Sequence, residues 1–158
     1  MRKQRKKKTR ENRDEFFKGF KFFFFLLLKG LSLSCCWKFN HLPEFDENME
    51  NLSKLFLKET AIKKLPSSLG FLVSLLSLDL ENCKNIVCLP DTISELKFLL
   101  ILNVSCYSKL HSFPKCLKEM KSLEELIAND TAIEETCFLL SFLSHLLFVF
   151  YFKNLIKN

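Results

Sequence analysis

Three histidines, seven cysteines and two Glu-Glu pairs are the residues of this 158-residue chain whose types could do chemistry. Their spacing gives them little to do it with. His41, His111 and His145 stand far apart, and none falls beside a Ser or Cys in a nucleophile–base motif. Glu124-Glu125 and Glu134-Glu135 offer paired carboxylates, but a solvated face explains them better than general acid–base work. No C-x-x-C pair and no His/Cys cluster of metal-ligand spacing occurs, so a bound metal is not expected. Reduced, mostly buried thiols in an intracellular protein are the expectation for the cysteines. No G-x-x-x-x-G-K-[ST] loop is present to cradle a phosphate, and no cofactor is expected. These absences point away from an enzyme.

The informative spacing belongs to leucine. When residues 72–96 are laid over 96–120, Leu72, Leu75, Leu78, Leu80, Ile86, Leu89, Pro90, Ile93 and Leu96 fall on Leu96, Leu99, Leu102, Val104, Leu110, Phe113, Pro114, Leu117 and Met120. The pattern reads LxxLxxLxLxxCxxLxxLPxxIxxL, with Cys83 at the C position and able to cap the turn after a strand. A copy one residue shorter precedes it, from Met49 through Leu55, Leu57 and Pro66 to Leu72, with its turn contracted to Thr60-Ala61-Ile62. Another follows from Met120 through Leu126 and Ala128 to Thr131-Ala132-Ile133. A faint copy holds Leu28, Leu31, Leu33, Cys36, Phe39, Leu42 and Pro43. This is the spacing of a leucine-rich repeat. One such unit cannot bury its apolar edge alone, so copies must stack into a solenoid. The predicted fold is α/β: a leucine-rich-repeat solenoid, a fragment of a horseshoe. Short parallel strands line its concave face, and loops or short helices return over its convex face.

Composition divides the chain. Residues 1–14 carry eight Lys/Arg and two acids, which accounts for the whole net charge of +6. Residues 1–20 are expected to be a basic tail, disordered or helical. Residues 21–48 are read as an apolar segment with a degenerate repeat, 49–136 as the repeat body, and 137–158 as an apolar tail that could hold another degenerate repeat. In that tail Leu140, Leu143, Leu146, Val149 and Tyr151 keep the frame. The uncharged stretch 22–28 is far shorter than the ~20 residues a bilayer span needs. The apolar ends still make a membrane-associated small protein the second reading. The run KQRKKKTR has the form of a nuclear address, but no aromatic is interleaved in it, so nucleic-acid binding is not indicated. The expected location is the cytoplasm, with the nucleus as the alternative.

Each unit should form one strand: 54–58, 77–81, 101–105 and 125–129. Leu55/Leu57, Leu78/Leu80, Leu102/Val104 and Leu126/Ala128 then point inward as four stacked pairs. Lys54, Phe56, Lys58, Ser77, Asp79, Glu81, Ile101, Asn103, Ser105, Glu125, Ile127 and Asn129 point outward. From these the candidate partner-binding set is Phe56, Lys58, Ser77, Asp79, Glu81, Ile101, Asn103, Glu125, Ile127 and Asn129. An outward residue such as Asp79 should matter little for stability. Proline after each Leu should begin a helical turn at its first position.

The stretch from 42 to 136 resembles the leucine-rich-repeat region of plant intracellular nucleotide-binding disease-resistance proteins, especially the class with an N-terminal Toll/interleukin-receptor domain. The resemblance is carried by the alternation of TAI units (Thr60-Ala61-Ile62, Thr131-Ala132-Ile133) with a C-x-x-L-type unit, and by LPSSL at 65–69. It implies protein recognition in the defence response. The implied partner is a pathogen effector, a host protein or a nucleotide-binding switch domain. The switch motif is missing from these residues, so a fragment or a non-functional truncated paralogue is the alternative expectation.

Overall fold

The computed structural model describes residues 27–45 and 49–132, together with the backbone of a strand at 147–149. The residues expected to form the basic tail lie outside this set, as do most of those in the apolar C-terminal run. Six parallel strands make one sheet in chain order: β1 (Gly30–Ser32), β2 (Lys54–Phe56), β3 (Ser77–Asp79), β4 (Ile101–Asn103), β5 (Glu125–Ile127) and β6 (Leu147–Val149). The register follows the repeat. Leu31, Leu55, Leu78, Leu102 and Leu126 pair in succession. The four expected inward pairs are all buried. The degenerate upstream copy supplies β1, so the stack begins one unit earlier than the four expected strands. At the other end the backbone pairs Phe148 with Leu126. The frame through Val149 and Tyr151 sets Val149 at that position, so the register slips there by one residue.

The strands are three residues long where five were expected. The ladder itself runs on: the amides of Leu57, Leu80 and Val104 donate to the carbonyls of Asp79, Asn103 and Ile127 at 2.8–2.9 Å. The strand ends because the next residues turn left-handed. Cys35, Glu59, Asn82, Cys106 and Asp130 hold φ of 62°, 59°, 60°, 64° and 52°. None is glycine, and only Asn and Asp tolerate this region readily. The residue that follows is buried at Thr60, Cys83 and Tyr107, half-buried at Thr131 and exposed at Cys36.

That following residue is the C position of the repeat, a column of Cys36, Thr60, Cys83, Tyr107 and Thr131. Thr60 Oγ1 donates to the Leu57 carbonyl at 2.8 Å, and Cys83 Sγ donates to the same carbonyl at 3.0 Å. Cys83 therefore caps the turn of the preceding unit as well as lying in its own. Thr131 Oγ1 repeats the Thr60 bond, donating to Ala128 O at 3.3 Å. Tyr107 is the exception. It is fully buried, and its hydroxyl has no hydrogen-bond partner at normal geometry, although the Cys83 thiol lies beside it. Burial, reinforced by that thiol, pushes its ionisation far above the ordinary tyrosine range.

After Pro66, Pro90 and Pro114 comes a five-residue 3-10 helix: η1 (Ser67–Phe71), η2 (Asp91–Glu95) and η3 (Lys115–Glu119). Pro66, Pro90 and Pro114 stand one residue before the helix, as N-caps with extended ψ of 153°, 150° and 141°. They were expected one position later. Each proline carbonyl accepts the first i→i+3 bond, from Leu69, Ile93 and Leu117, so proline fixes φ at the corner and its missing N–H is not called on there. Between the first two units, Glu44 accepts from Ser68 Oγ at 2.5 Å and from Ser68 N at 3.2 Å. These two bonds hold the Glu44 carboxyl below the usual range.

The orphaned Tyr107 hydroxyl gives the first prediction. An unpaired buried hydroxyl costs about 1–3 kcal/mol, and Tyr107→Phe keeps the ring while removing it. The variant should unfold at a higher urea concentration than the parent, with an unchanged m-value. A lower midpoint would mean that the hydroxyl has a partner.

Candidate protein-recognition surface

Register sets the outward side chains in three columns across the sheet. Lys54, Ser77, Ile101 and Glu125 form one, and Phe56, Asp79, Asn103 and Ile127 the next. The third, just past the strands, is Lys58, Glu81, Ser105 and Asn129. Neighbouring strands lie about 4.8 Å apart, so each column is a continuous row of side chains. The structure brings the whole candidate set onto one face.

Its polar members are not idle. Lys58 Nζ meets Glu81 Oε1 at 2.9 Å, and Asn103 Nδ2 donates to Glu81 Oε2 at 3.4 Å. A row thus ties three units together on the surface. The hydrogen-bonded Glu81 carboxylate raises the Lys58 ammonium above its ordinary range. Asp79 Oδ1 accepts from the Glu81 amide at 3.0 Å, and Asn103 Oδ1 does the same for Ser105 N at 3.1 Å. These are Asx turns, closing the backbone where the strand gives out. Ser105 corrects the outward assignment: it is buried, and its Oγ accepts from Asn129 N at 3.3 Å. A small hydroxyl folds inward there because that amide needs an acceptor.

The apolar members are the ones the scaffold does not use. Ile101 is 36% exposed, and Phe56 and Ile127 are half-buried. A fourth row, not singled out in the sequence, leads into the strands: Ser53, Leu76, Leu100 and Glu124. It is hydrogen-bonded across units. Ser53 O accepts from Leu76 N and Ser77 N, Leu76 O from Leu100 N and Ile101 N, and Leu100 O from Glu124 N and Glu125 N, all at 2.8–3.1 Å. Leu76 is 39% exposed and Leu100 half-buried, so both extend the apolar surface at Ile101. A pattern search assigns leucine to the core, which is why this row was missed. The signal was that Leu76 and Leu100 each stand beside a leucine already in frame. Among the described residues no group of His, Cys, Asp and Glu is placed to hold a metal. Among them, too, no helix is long and apolar enough to cross a membrane.

A family model described as a leucine-rich repeat region matches residues 16–147. The chain belongs to the leucine-rich-repeat family. Among its curated relatives, it is 39% identical over 107 residues to disease resistance protein RPS4B of Arabidopsis thaliana, which covers 68% of this chain and 9% of that one. It is 36% identical over 107 residues to TMV resistance protein N of Nicotiana glutinosa, covering 67% and 9% respectively. This leucine-rich-repeat chain therefore spans under a tenth of the length of either relative. Among solved structures, internalin C2 of Listeria monocytogenes shares 19% identity. That match covers 77% of this chain and 70% of the other, with a TM-score of 0.44.

The Asx turns of the repeat face yield the second prediction. Asp79→Ala leaves the Glu81 amide without its acceptor and should cost about 1 kcal/mol. Asp79→Asn keeps an oxygen at the same place, as Asn103 does one unit on, and should stay within about 0.5 kcal/mol of the parent. Chemical denaturation of the two variants checks this. Equal midpoints would remove the turn from the account.

Proposed function

We propose that this chain is a protein-recognition module of an immune-receptor-like protein acting in plant defence, and that it binds its protein partner by the outward strand face. The observation that carries this is the apolar set Phe56, Ile101 and Ile127, held on a hydrogen-bonded frame of Lys58, Glu81 and Asn103. The core does not need these side chains, and apolar residues ringed by polar ones are the anatomy of a protein interface. Its relatives, a disease resistance protein and a TMV resistance protein, support the setting. The partner is a pathogen effector, a host protein or a nucleotide-binding switch domain. The proposed location is the cytoplasm, with the KQRKKKTR run as a nuclear address.

The test is capture of partners from infected leaf extract on the immobilised full chain. Three variants are compared: Phe56→Ala with Ile127→Ala, Ile101→Ser, and Phe98→Ser. Phe98 is 61% exposed but lies off the three outward columns. Both strand-face variants should lose the captured protein while Phe98→Ser keeps it, with thermal melts alike for Ile101→Ser and Phe98→Ser. Retention by the strand-face variants and loss by Phe98→Ser would move the site off the sheet.

A further inference from the structure

The charges around the exposed apolar row point to the chemistry of the partner. Leu76, Leu100 and Ile101 sit side by side on two adjacent units, joined through the Leu76 carbonyl. On the C-terminal flank Glu124 and Glu125 both hang from the Leu100 carbonyl, at 2.9 Å each. Neither carboxylate takes part in an ion pair among the described residues; the ion pair there joins Lys58 and Glu81. On the N-terminal flank stands Lys54, exposed and likewise without an ion pair among the described residues. Lys54 and Glu125 belong to the same column, three strand spacings apart, or about 14 Å. The patch is therefore ordered: the cations Lys54 and, one unit earlier in the row of Ser53, Lys29, then leucine and isoleucine, then two anions.

Resting on the reading of the strand face as the recognition surface, we propose that the partner lays an extended segment across the strands with the opposite order. An acidic side chain meets Lys54, aliphatic side chains cover Leu76, Leu100 and Ile101, and lysine or arginine meets Glu124 and Glu125. An extended chain rises about 3.3 Å per residue, so its acidic and basic groups stand about four residues apart. The apolar contact supplies the burial, and the flanking charges fix direction and exclude acidic partners, which is where rim charges act most strongly.

Three synthetic hexapeptides test this by titration into the isotope-labelled full chain, followed by amide chemical shifts. The first is acetyl-Asp-Ser-Leu-Leu-Lys-Arg-amide. The second replaces its basic end with Asp-Glu, and the third replaces its two leucines with serine. The first should shift the amides of Leu76, Ile101 and Glu124, and bind about two- to tenfold more tightly than either control. In Glu124→Lys with Glu125→Lys the preference should reverse toward the second peptide, with the thermal melt retained; Glu124→Gln with Glu125→Gln should abolish the preference and serves if the double lysine variant melts early. Equal or tighter binding of the second peptide to the parent would overturn the partner chemistry while leaving the strand face as the site. Shifts confined to other parts of the chain would overturn both readings. The absence of any shift at millimolar peptide would overturn this inference, leaving the capture experiment to decide the surface.

Discussion

A repeat unit of this chain cannot cover its own inward side chains. Leu55 and Leu57, Leu78 and Leu80, Leu102 and Val104 are wholly buried, yet only the first of each pair lies within its three-residue strand. Burying one leucine is worth about 1.5–3 kcal/mol, and here that gain exists only when the next unit is in register. The pairing of Leu55, Leu78, Leu102 and Leu126 follows from this. So does the position of everything facing the other way. Slip one unit by a single residue and its outward column would turn into the core. The recognition face is the reverse side of the leucine ladder.

The turns obey a second constraint, subordinate to the first. Each strand must leave the sheet after its second inward residue, and it does so through a left-handed residue that is Cys, Glu, Asn, Cys or Asp. The column that follows returns hydrogen bonds to the turn: Thr60 and Cys83 share the Leu57 carbonyl, and Thr131 takes that of Ala128. Tyr107 occupies this column with a larger side chain and an unpaired hydroxyl. On the surface, Asp79 and Asn103 close the same turns from outside. Candidate binding residues and structural residues are thus partly the same residues. Lys58, Glu81 and Asn103 hold one another, which leaves the apolar side chains and the flanking charges as the groups free to meet a partner.

The fold was legible because its determinants are apolar and periodic. The spacing of Leu72, Leu75, Leu78 and Leu80 gave strand position, direction and register before any coordinate. The left-handed column was not legible, because no residue type marks it. Strand length was overestimated for the same reason: Lys58 and Glu81 continue the alternation although the strand assignment stops at Phe56 and Asp79. Proline was placed one residue late because its carbonyl, not its ring, starts the 3-10 turn. Of the surface, alternation found the three outward columns but could not see that Ser105 folds in. It also hid Leu76 and Leu100, since leucine beside an in-frame leucine reads as core.

The central claim is that inward and outward positions alternate residue by residue in a stack held by leucine. Urea denaturation of two neighbouring variants of β3 tests it most directly. Leu78→Ala removes an inward side chain from both adjoining units and should cost about 2–5 kcal/mol, cavity included. Ser77→Ala, one residue earlier and outward, should cost less than about 0.5 kcal/mol. Midpoint shifts in that order and proportion are the expected result. Comparable shifts for the two variants would contradict the register, and with it the assignment of the recognition face.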